Sequence, residues 1–382
     1  MHIFHVVLRM DSYQMLIKTL AGLEEVVAEE LKQLGTQDVK KGKRAVYFTG
    51  TDEHLIKANL CIRSGLTVLV PIAEFDAYDE NQLYREVIRL NWEDIFTYKN
   101  TFSVQATVSG NTFTHSKYIA LKVKDAIADR FRNKFGKRPD VDPKDADYQV
   151  NIHINDQSCS LSLNASGTSL DKRGYRLTSN EAPINESLAA GIILKSSWNG
   201  KDDFYDPMAG SGTFGIEAAL IAAGIPPGLN RKFGFERWTD FDRDLFSDIK
   251  QSLSGKITEP ETRIYSRDLL STNINIIAQN AERAGVADFL RTKKEDFFNS
   301  SVQAEKGCVF LNPPYGQRLS EDSISSFYKR IGDQLKNNYP NCEAWVISSD
   351  ISAMKGFGLK PQSRERVFNG GLECTLNRYL LY

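Results

Sequence analysis

The sequence predicts an α/β protein in which two small α+β units precede a larger sheet covered by helices on both faces. Its 382 residues exceed what one ordinary core holds, which sets an expectation of two or three domains. Strand-like and helix-like stretches alternate from about Tyr13 to Ser166. From about Asp171 small residues, glycines and wholly apolar runs such as VFL and AWVIS alternate with helical stretches, as strands buried on both faces do.

The first unit is residues 13–65. YQMLIKTL reads as a strand, and GLEEVVAEELKQLG as a helix with Leu23, Val26, Val27 and Leu31 at helical spacing and Gly35 as its C-cap. RAVYFTG is a second strand and DEHLIKANLCIRSG a second helix. The second unit, residues 66–166, holds the strand TVLVPIAEF, a helix around residues 79–90, the strand FSVQATVS and a long helix over residues 116–135. A strand pair follows, YQVNIHIND and SCSLSLNAS, joined by a turn at Asn155-Asp156-Gln157. In the long helix, Lys117, Lys122, Lys124, Arg130, Arg132, Lys134, Lys137 and Arg138 oppose only Asp125 and Asp129, while Tyr118, Leu121, Ile127 and Phe131 read as its apolar stripe. A charge run on a helix is commonly a solvated face. The alternative is an RNA-binding face in which Lys117, Lys122, Lys124, Arg130, Arg132, Lys134 and Arg138 meet phosphates.

Composition narrows the classes. The net charge of −1 points to no polyanionic partner for the chain as a whole, so any nucleic-acid surface must be local. No apolar run approaches the roughly 18–20 residues of a membrane span, and MHIFHVVLRMDSYQ lacks a cleavage site, so a cytoplasmic protein is expected. Cys61, Cys159, Cys308, Cys342 and Cys374 are scattered and never form C-x-x-C, which speaks against disulfides and metal sites. All five histidines lie within the first 153 residues, so chemistry in the last unit would not use histidine.

Residues 203–220 read DFYDPMAGSGTFGIEAAL: a short strand, a glycine-rich turn and a helix. Glycines let a backbone approach a ligand, and the free N–H groups of the helix start favour it. Gly210, Gly212 and Gly215 also fit G-x-G-x-x-G, a weak pattern alone, but the dinucleotide form wants an acid about 20 residues on. Here the next strand, TRIYSRD, ends at Asp268, more than 50 residues later, which disfavours NAD. With Asp206 closing its strand, DPMAGSGT instead resembles the first motif of class I methyltransferases that use S-adenosylmethionine. That resemblance implies that Asp206 receives the cationic end of the cofactor, Asp268 accepts the ribose hydroxyls, and Asp296 in KEDFF meets the adenine amine after the third strand. For any one of these acids a turn or helix cap is the ordinary role; three after three strands is a far less accidental pattern.

The apolar run GCVFL, residues 307–311, stops at Asn312-Pro313-Pro314-Tyr315. Two prolines cannot continue a strand, because each lacks an N–H and restricts φ. An exocyclic amine on a base is a poor nucleophile, its lone pair delocalised into the ring. Acceptors aimed at its N–H bonds help it to attack, and the amide oxygen of Asn312 and the Pro313 carbonyl could supply them. Losing one such preorganised bond typically costs roughly 10²- to 10³-fold in rate. Tyr315 could stack on an extruded base.

NPPY alone does not choose between adenine, cytosine and guanine, but NPPYGQRL resembles the NPPYG-x-R-L of RNA guanine-N2 methyltransferases that carry a THUMP domain. The likeness runs from about Tyr13 through KTLAGLEEVVAEEL, SKYIALKVKDAI, DKRGYR, EAPINESLAAGIIL and NRKFGFERW, and is greatest to the bacterial branch acting on 23S ribosomal RNA. It implies a ferredoxin-like domain (residues 13–65), a THUMP domain (66–166) and a Rossmann-like class I methyltransferase domain (171–382). It also implies S-adenosylmethionine as cofactor and RNA as partner. Carried over by motif, Ala182, Pro183 and Asn185 pack beside the methionine end of the cofactor, Gly210, Ser211, Gly212 and Thr213 join Asp206 in the loop, and Asn312 to Tyr315 are catalytic, Asn312 also touching the cofactor. Where the family often reads GSDIDP this chain has SRDLLS, keeping Asp268 but replacing the second acid with Leu270. The first dozen residues match nothing and are expected to be a disordered lead. Some bacterial members are fused to a second enzyme making 7-methylguanine; with Tyr382 as last residue, that activity is expected to be absent. Three alternatives stay in view: a tRNA guanine-N2 methyltransferase, a non-catalytic RNA-binding assembly factor, and a DNA adenine methylase, the last disfavoured by the RNA-type module upstream.

Overall fold

A computed structural model describes residues 2–3, 12–176, 183–300, 304, 306–314 and 321–382. The N-terminal half contains β1 (His2–Ile3), β2 (Tyr13–Thr19), α1 (Glu24–Gln33), β3 (Gln37–Gly42), β4 (Ala45–Gly50), α2 (Asp52–Cys61), β5 (Gly65–Asp76), α3 (Glu80–Arg89), β6 (Thr101–Ser109), α4 (Ser116–Phe135), β7 (Asp140–Val141), β8 (Tyr148–Asn155) and β9 (Ser158–Asn164). They form a single sheet in the order β3-β4-β2-β5-β9-β8-β6-β7, with β1 also on β5. The two α+β units expected from the sequence therefore share β5. Its first half pairs with β2 and its second with β9, a span that 12 residues of nearly unbroken apolar character allow.

The C-terminal half contains α5 (Glu186–Lys195), β10 (Asp203–Asp206), α6 (Thr213–Ala222), α7 (Arg243–Ser254), β11 (Ile264–Asp268), α8 (Ser271–Ala284), β12 (Leu290–Lys294), β13 (Gly307–Leu311), α9 (Glu321–Asn338), β14 (Cys342–Ser348), β15 (Ser363–Asn369) and β16 (Leu372–Leu380). The sheet order is β12-β11-β10-β13-β14-β16-β15, with the first five strands parallel and β16 antiparallel to both β14 and β15. Every residue of β13 and β14 is buried, which explains their continuous apolar runs. Successive β13 side chains serve opposite layers. Phe310 stacks on Phe204 beneath α5 and α6, while Val309 and Leu311 join the α9 layer around Tyr328 and Ile331. The order reverses between β10 and β13, and a crevice at the carboxyl ends of strands flanking such a switch point is where open α/β sheets bind ligands.

Three seams join the halves. Residues 223–263, inserted between α6 and β11, send Phe233, Phe235 and Trp238 into the N-terminal core, where Trp238 stacks on Tyr148 at 6.2 Å. Leu20, Leu23 and Val26 conversely join the catalytic core. Between them, Arg63 donates to the carbonyls of Leu220 and Ile225, and the buried Arg173–Glu217 pair reaches back to the Arg63 carbonyl. Among the described residues no helix is long and apolar enough to cross a membrane, and no group of three His, Cys, Asp or Glu is placed to hold a metal.

Candidate cofactor and catalytic site

At the reversal point lies a cavity of about 480 Å³. Its wall includes one polar residue from the carboxyl end of each of four neighbouring strands: Asp206 closing β10, Asp268 closing β11, Asp296 just past β12 and Asn312 just past β13. The loop from Asp206 to Thr213 forms its floor. Gly212 sits at φ +81°, a left-handed conformation in which a side chain is strained, and a Cβ there would press Ile277 at 3.0 Å. Gly215 faces β11 so closely that a Cβ would lie 2.0 Å from Ser266 Oγ. The second glycine thus turns the loop, and the third seats α6 on the sheet.

Asp206 is buried and, among the described residues, accepts one bond, from the Gly215 amide at 3.3 Å. Among the described residues no cation lies against it. Burial pushes its pKa well up, with Asp268 adding to the rise. An unpaired buried carboxyl of this kind suits a ligand that brings its own positive charge. Asp268 is more occupied than its expected role requires. Its Oδ2 accepts from the Gly210 amide at 2.9 Å, and its Oδ1 from the Leu270 amide and Asn273 Nδ2, both at 2.9 Å. It braces the glycine loop, and three accepted bonds leave its two oxygens with accepting capacity to spare among the described residues. Asp296 caps the turn after β12, accepting from the Phe298 amide and Asn299 Nδ2, while still lining the cavity.

The remaining expected site residues divide. Pro183, Gly210, Ser211, Thr213, Asn312 and Pro314 line the cavity, and Pro313 is buried beside them. Asn185 does not line it: its Oδ1 caps α5 at the Leu188 amide, and its Nδ2 donates to Asp171. Ala182 and Tyr315, with the GQRL that follows, lie outside the described residues. Among the lining residues that sequence reasoning missed are Met208, Phe298, Phe327 and Arg330, the Arg330 guanidinium lying 4.0 Å from the Phe298 ring centroid. Phe298 lies two residues past Asp296 in KEDFF and could have been suspected; Phe327 and Arg330 reach the site only because α9 packs over the turn after β12.

Helix α4 has the expected bounds but a different phase. Ile119, Val123, Ile127 and Phe131 are buried, whereas Tyr118 and Leu121 are about half exposed. The buried series keeps a strict spacing of four, and the residues expected at the stripe's start lie on the other side. Its cations are also less free than counted. Glu93, from the turn before β6, takes Arg130 and Lys134 at 2.5 Å each; Arg132 holds Asp129 and Lys124 holds Asp125. Lys122 lies over the Tyr84 ring and Lys137 over Tyr98. Lys117 and Arg138 have no carboxylate among the described residues.

A strand-end cavity of this shape serves dinucleotides as well as methyltransferases, and residues 223–263 loop out without displacing Asp268 from the end of the second strand. Spacing along the chain therefore decides less than the sequence suggested. A family model of an RMKL-like methyltransferase domain matches residues 173–378. The chain belongs to that family. A THUMP-domain model matches residues 77–164, and one for the RlmL ferredoxin-like domain residues 14–69. The Synechocystis protein slr0064, named provisionally as an RNA methyltransferase, is 35% identical over 364 residues, 94% of this chain and 95% of that one. A ribosomal RNA large subunit methyltransferase K/L of Shewanella is 35% identical over 368 residues; the chain spans 52% of its length. Among solved structures, SMU.472, provisionally a methyltransferase and solved with SAH, superposes with a TM-score of 0.87 at 28% identity, covering 98% of this chain and 99% of that one. A Clostridium difficile structure, titled provisionally as a methylase, gives 0.89 at 29% identity, covering 97% and 98%.

Proposed function

We propose that this family member transfers a methyl group from S-adenosylmethionine to the exocyclic N2 amine of a guanine in 23S ribosomal RNA. The observation that carries the reading is the convergence of Asp206, Asp268, Asp296 and Asn312 on one cavity. S-adenosylmethionine is the cofactor. Its cationic end suits the unpaired buried Asp206, and when bound it supplies an electrophilic methyl on a sulfonium. The chain's own residues do the rest. Asn312 Oδ1 and the Pro313 carbonyl accept from the two N–H bonds of the target amine, drawing its lone pair out of conjugation with the ring. Pro313 and Pro314, with restricted φ, keep those acceptors in place. Asp268 and Asp296 orient the cofactor while holding their loops. The amine proton becomes acidic only after the methyl has moved, and it leaves to water without a histidine.

The 23S assignment is supported by 35% identity to the large subunit methyltransferases, and the RNA module ahead of the cavity supports RNA over DNA. Mapping 2-methylguanosine across total RNA with and without the gene tests both. Loss of one such residue from 23S RNA is expected. Loss from tRNA would move the substrate to the tRNA reading, and an unchanged map with no cofactor binding by calorimetry would leave an RNA-binding factor.

A further inference from the structure

The junction motif DKRGYR, residues 171–176, takes no part in the scheme above, yet its last residue reaches the cavity wall. Arg176 Nη2 donates to Thr213 Oγ1 and to the Ile184 carbonyl, both at 2.8 Å. Both acceptors belong to residues of that wall, so one guanidinium ties the glycine loop to the segment before α5.

The consequence lies in hydrogen-bond polarity. A guanidinium has donors only. Thr213 Oγ1 therefore serves Arg176 as an acceptor, and its own proton must go elsewhere. Ser211 Oγ lies 3.3 Å away, and both hydroxyls are more than nine-tenths buried. Neither makes any other hydrogen bond among the described residues. If Thr213 donates to Ser211, the Ser211 proton is left over; if Ser211 donates to Thr213, the Thr213 proton is left over. Either way, among the described residues, at least one hydroxyl proton on the cavity wall is left without an acceptor.

The electrostatics agree. Thr213 opens the ten-residue helix α6, whose N-terminus favours negative charge. Among the described residues the carboxylate facing Arg176 is Glu186, 3.5 Å from its Nε on the side away from Thr213; burial raises the Glu186 pKa and the guanidinium opposes that rise. On the floor, Asp206 awaits a cation. The cavity thus offers a carboxyl for an ammonium and donors for a carboxylate, the two ends of an amino acid.

We propose that Arg176 is a positioning residue for the cofactor's carboxylate, acting through Thr213 by setting the Ser211–Thr213 pair as donors toward that group. The proposal rests on S-adenosylmethionine as the cavity's ligand. Calorimetry on the full chain tests it, comparing S-adenosylmethionine with its decarboxylated analogue for the wild type, Arg176→Ala, Arg176→Lys, Thr213→Val and the Arg176→Ala/Thr213→Val pair. The wild type should prefer the intact cofactor by about 10-fold or more. Arg176→Ala and Thr213→Val should each lose about 10-fold on it and little on the analogue, the pair should be no worse than the weaker single variant, and Arg176→Lys should keep part of the preference because an ammonium still donates. Equal losses on both ligands would make Arg176 a structural brace and overturn the proposal, as would additive losses in the pair. If Arg176→Ala fails to fold, Thr213→Val carries the same comparison, and an unchanged preference there would also overturn it. A wild type that binds neither ligand would refute the cofactor reading itself, and the proposal with it.

Discussion

The strand-end cavity and helix α4 both gather charge on an apolar scaffold, yet the fold treats that charge in opposite ways. In the cavity Asp206 is buried with no cation beside it among the described residues, a costly arrangement that a positively charged ligand relieves. On α4, by contrast, Lys124, Arg130, Arg132 and Lys134 already hold carboxylates of the chain itself. Charge left unanswered inside a fold points to a ligand; charge answered at its surface is mostly architecture.

Breaking the chemistry of the cavity should give the largest effect. Asn312→Ala is expected to lower single-turnover methylation of RNA by roughly 10²- to 10³-fold while cofactor affinity by calorimetry stays nearly unchanged. Full activity would remove Asn312 from the reaction. Asp206→Asn should weaken cofactor binding by about 10- to 100-fold, the range of a hydrogen bond to a charged group. The same change should raise the thermal midpoint of the ligand-free protein at neutral pH. The sign follows from the raised pKa: the contribution of the neutral acid is full below the ordinary aspartate range and is lost as pH rises through the folded value, so at neutral pH an amide escapes the cost of a carboxyl that ionises less readily in the fold than in the unfolded chain. Affinity for the cationic cofactor should accordingly rise with pH through that transition.

Gly212→Ala sharpens the comparison at the level of backbone. Its positive φ and the approach to Ile277 predict a loss of about 1–3 kcal/mol in urea unfolding. The smallest effects belong to α4. Lys134→Ala should change RNA affinity less than Lys117→Ala, the latter by roughly 1 kcal/mol or less, in filter binding at fixed salt. Glu93→Gln should free Arg130 and Lys134 and steepen the salt dependence of binding. Burial raises the Glu93 pKa, but hydrogen bonds from Arg130 and Lys134 prevail and hold it at about 2. The stability it contributes is therefore present above the ordinary glutamate range and drains away as pH falls toward 2, which acid unfolding of Glu93→Gln beside the wild type would reveal.

What was legible in the sequence followed the range of the interactions involved. Strands ending in Asp206, Asp268 and Leu311, the glycine turn and the bounds of α4 depend on neighbours a few residues away. The phase of α4 was misread because Tyr118 and Leu121 are as apolar as the residues that actually face the core. The neutralisation of its cations was invisible because Glu93 arrives from another element, more than 35 residues upstream of Arg130. Asn185, expected in the segment beside the methionine end of the cofactor, caps α5, a role its place after an extended segment also made legible. Phe327 and Arg330 needed the packing of α9 before they could be placed at all.

The aromatic insertion sets a limit on modularity. Phe233, Phe235 and Trp238 belong by chain order to the catalytic half and by packing to the other. A catalytic fragment cut at the junction would carry them as a bare hydrophobic ridge, and the N-terminal fragment would be left with the matching hole around Tyr148. Recombination could not transplant either half onto a new neighbour without rewriting both sides of that contact, so the RNA module and the enzyme it serves are expected to be inherited together.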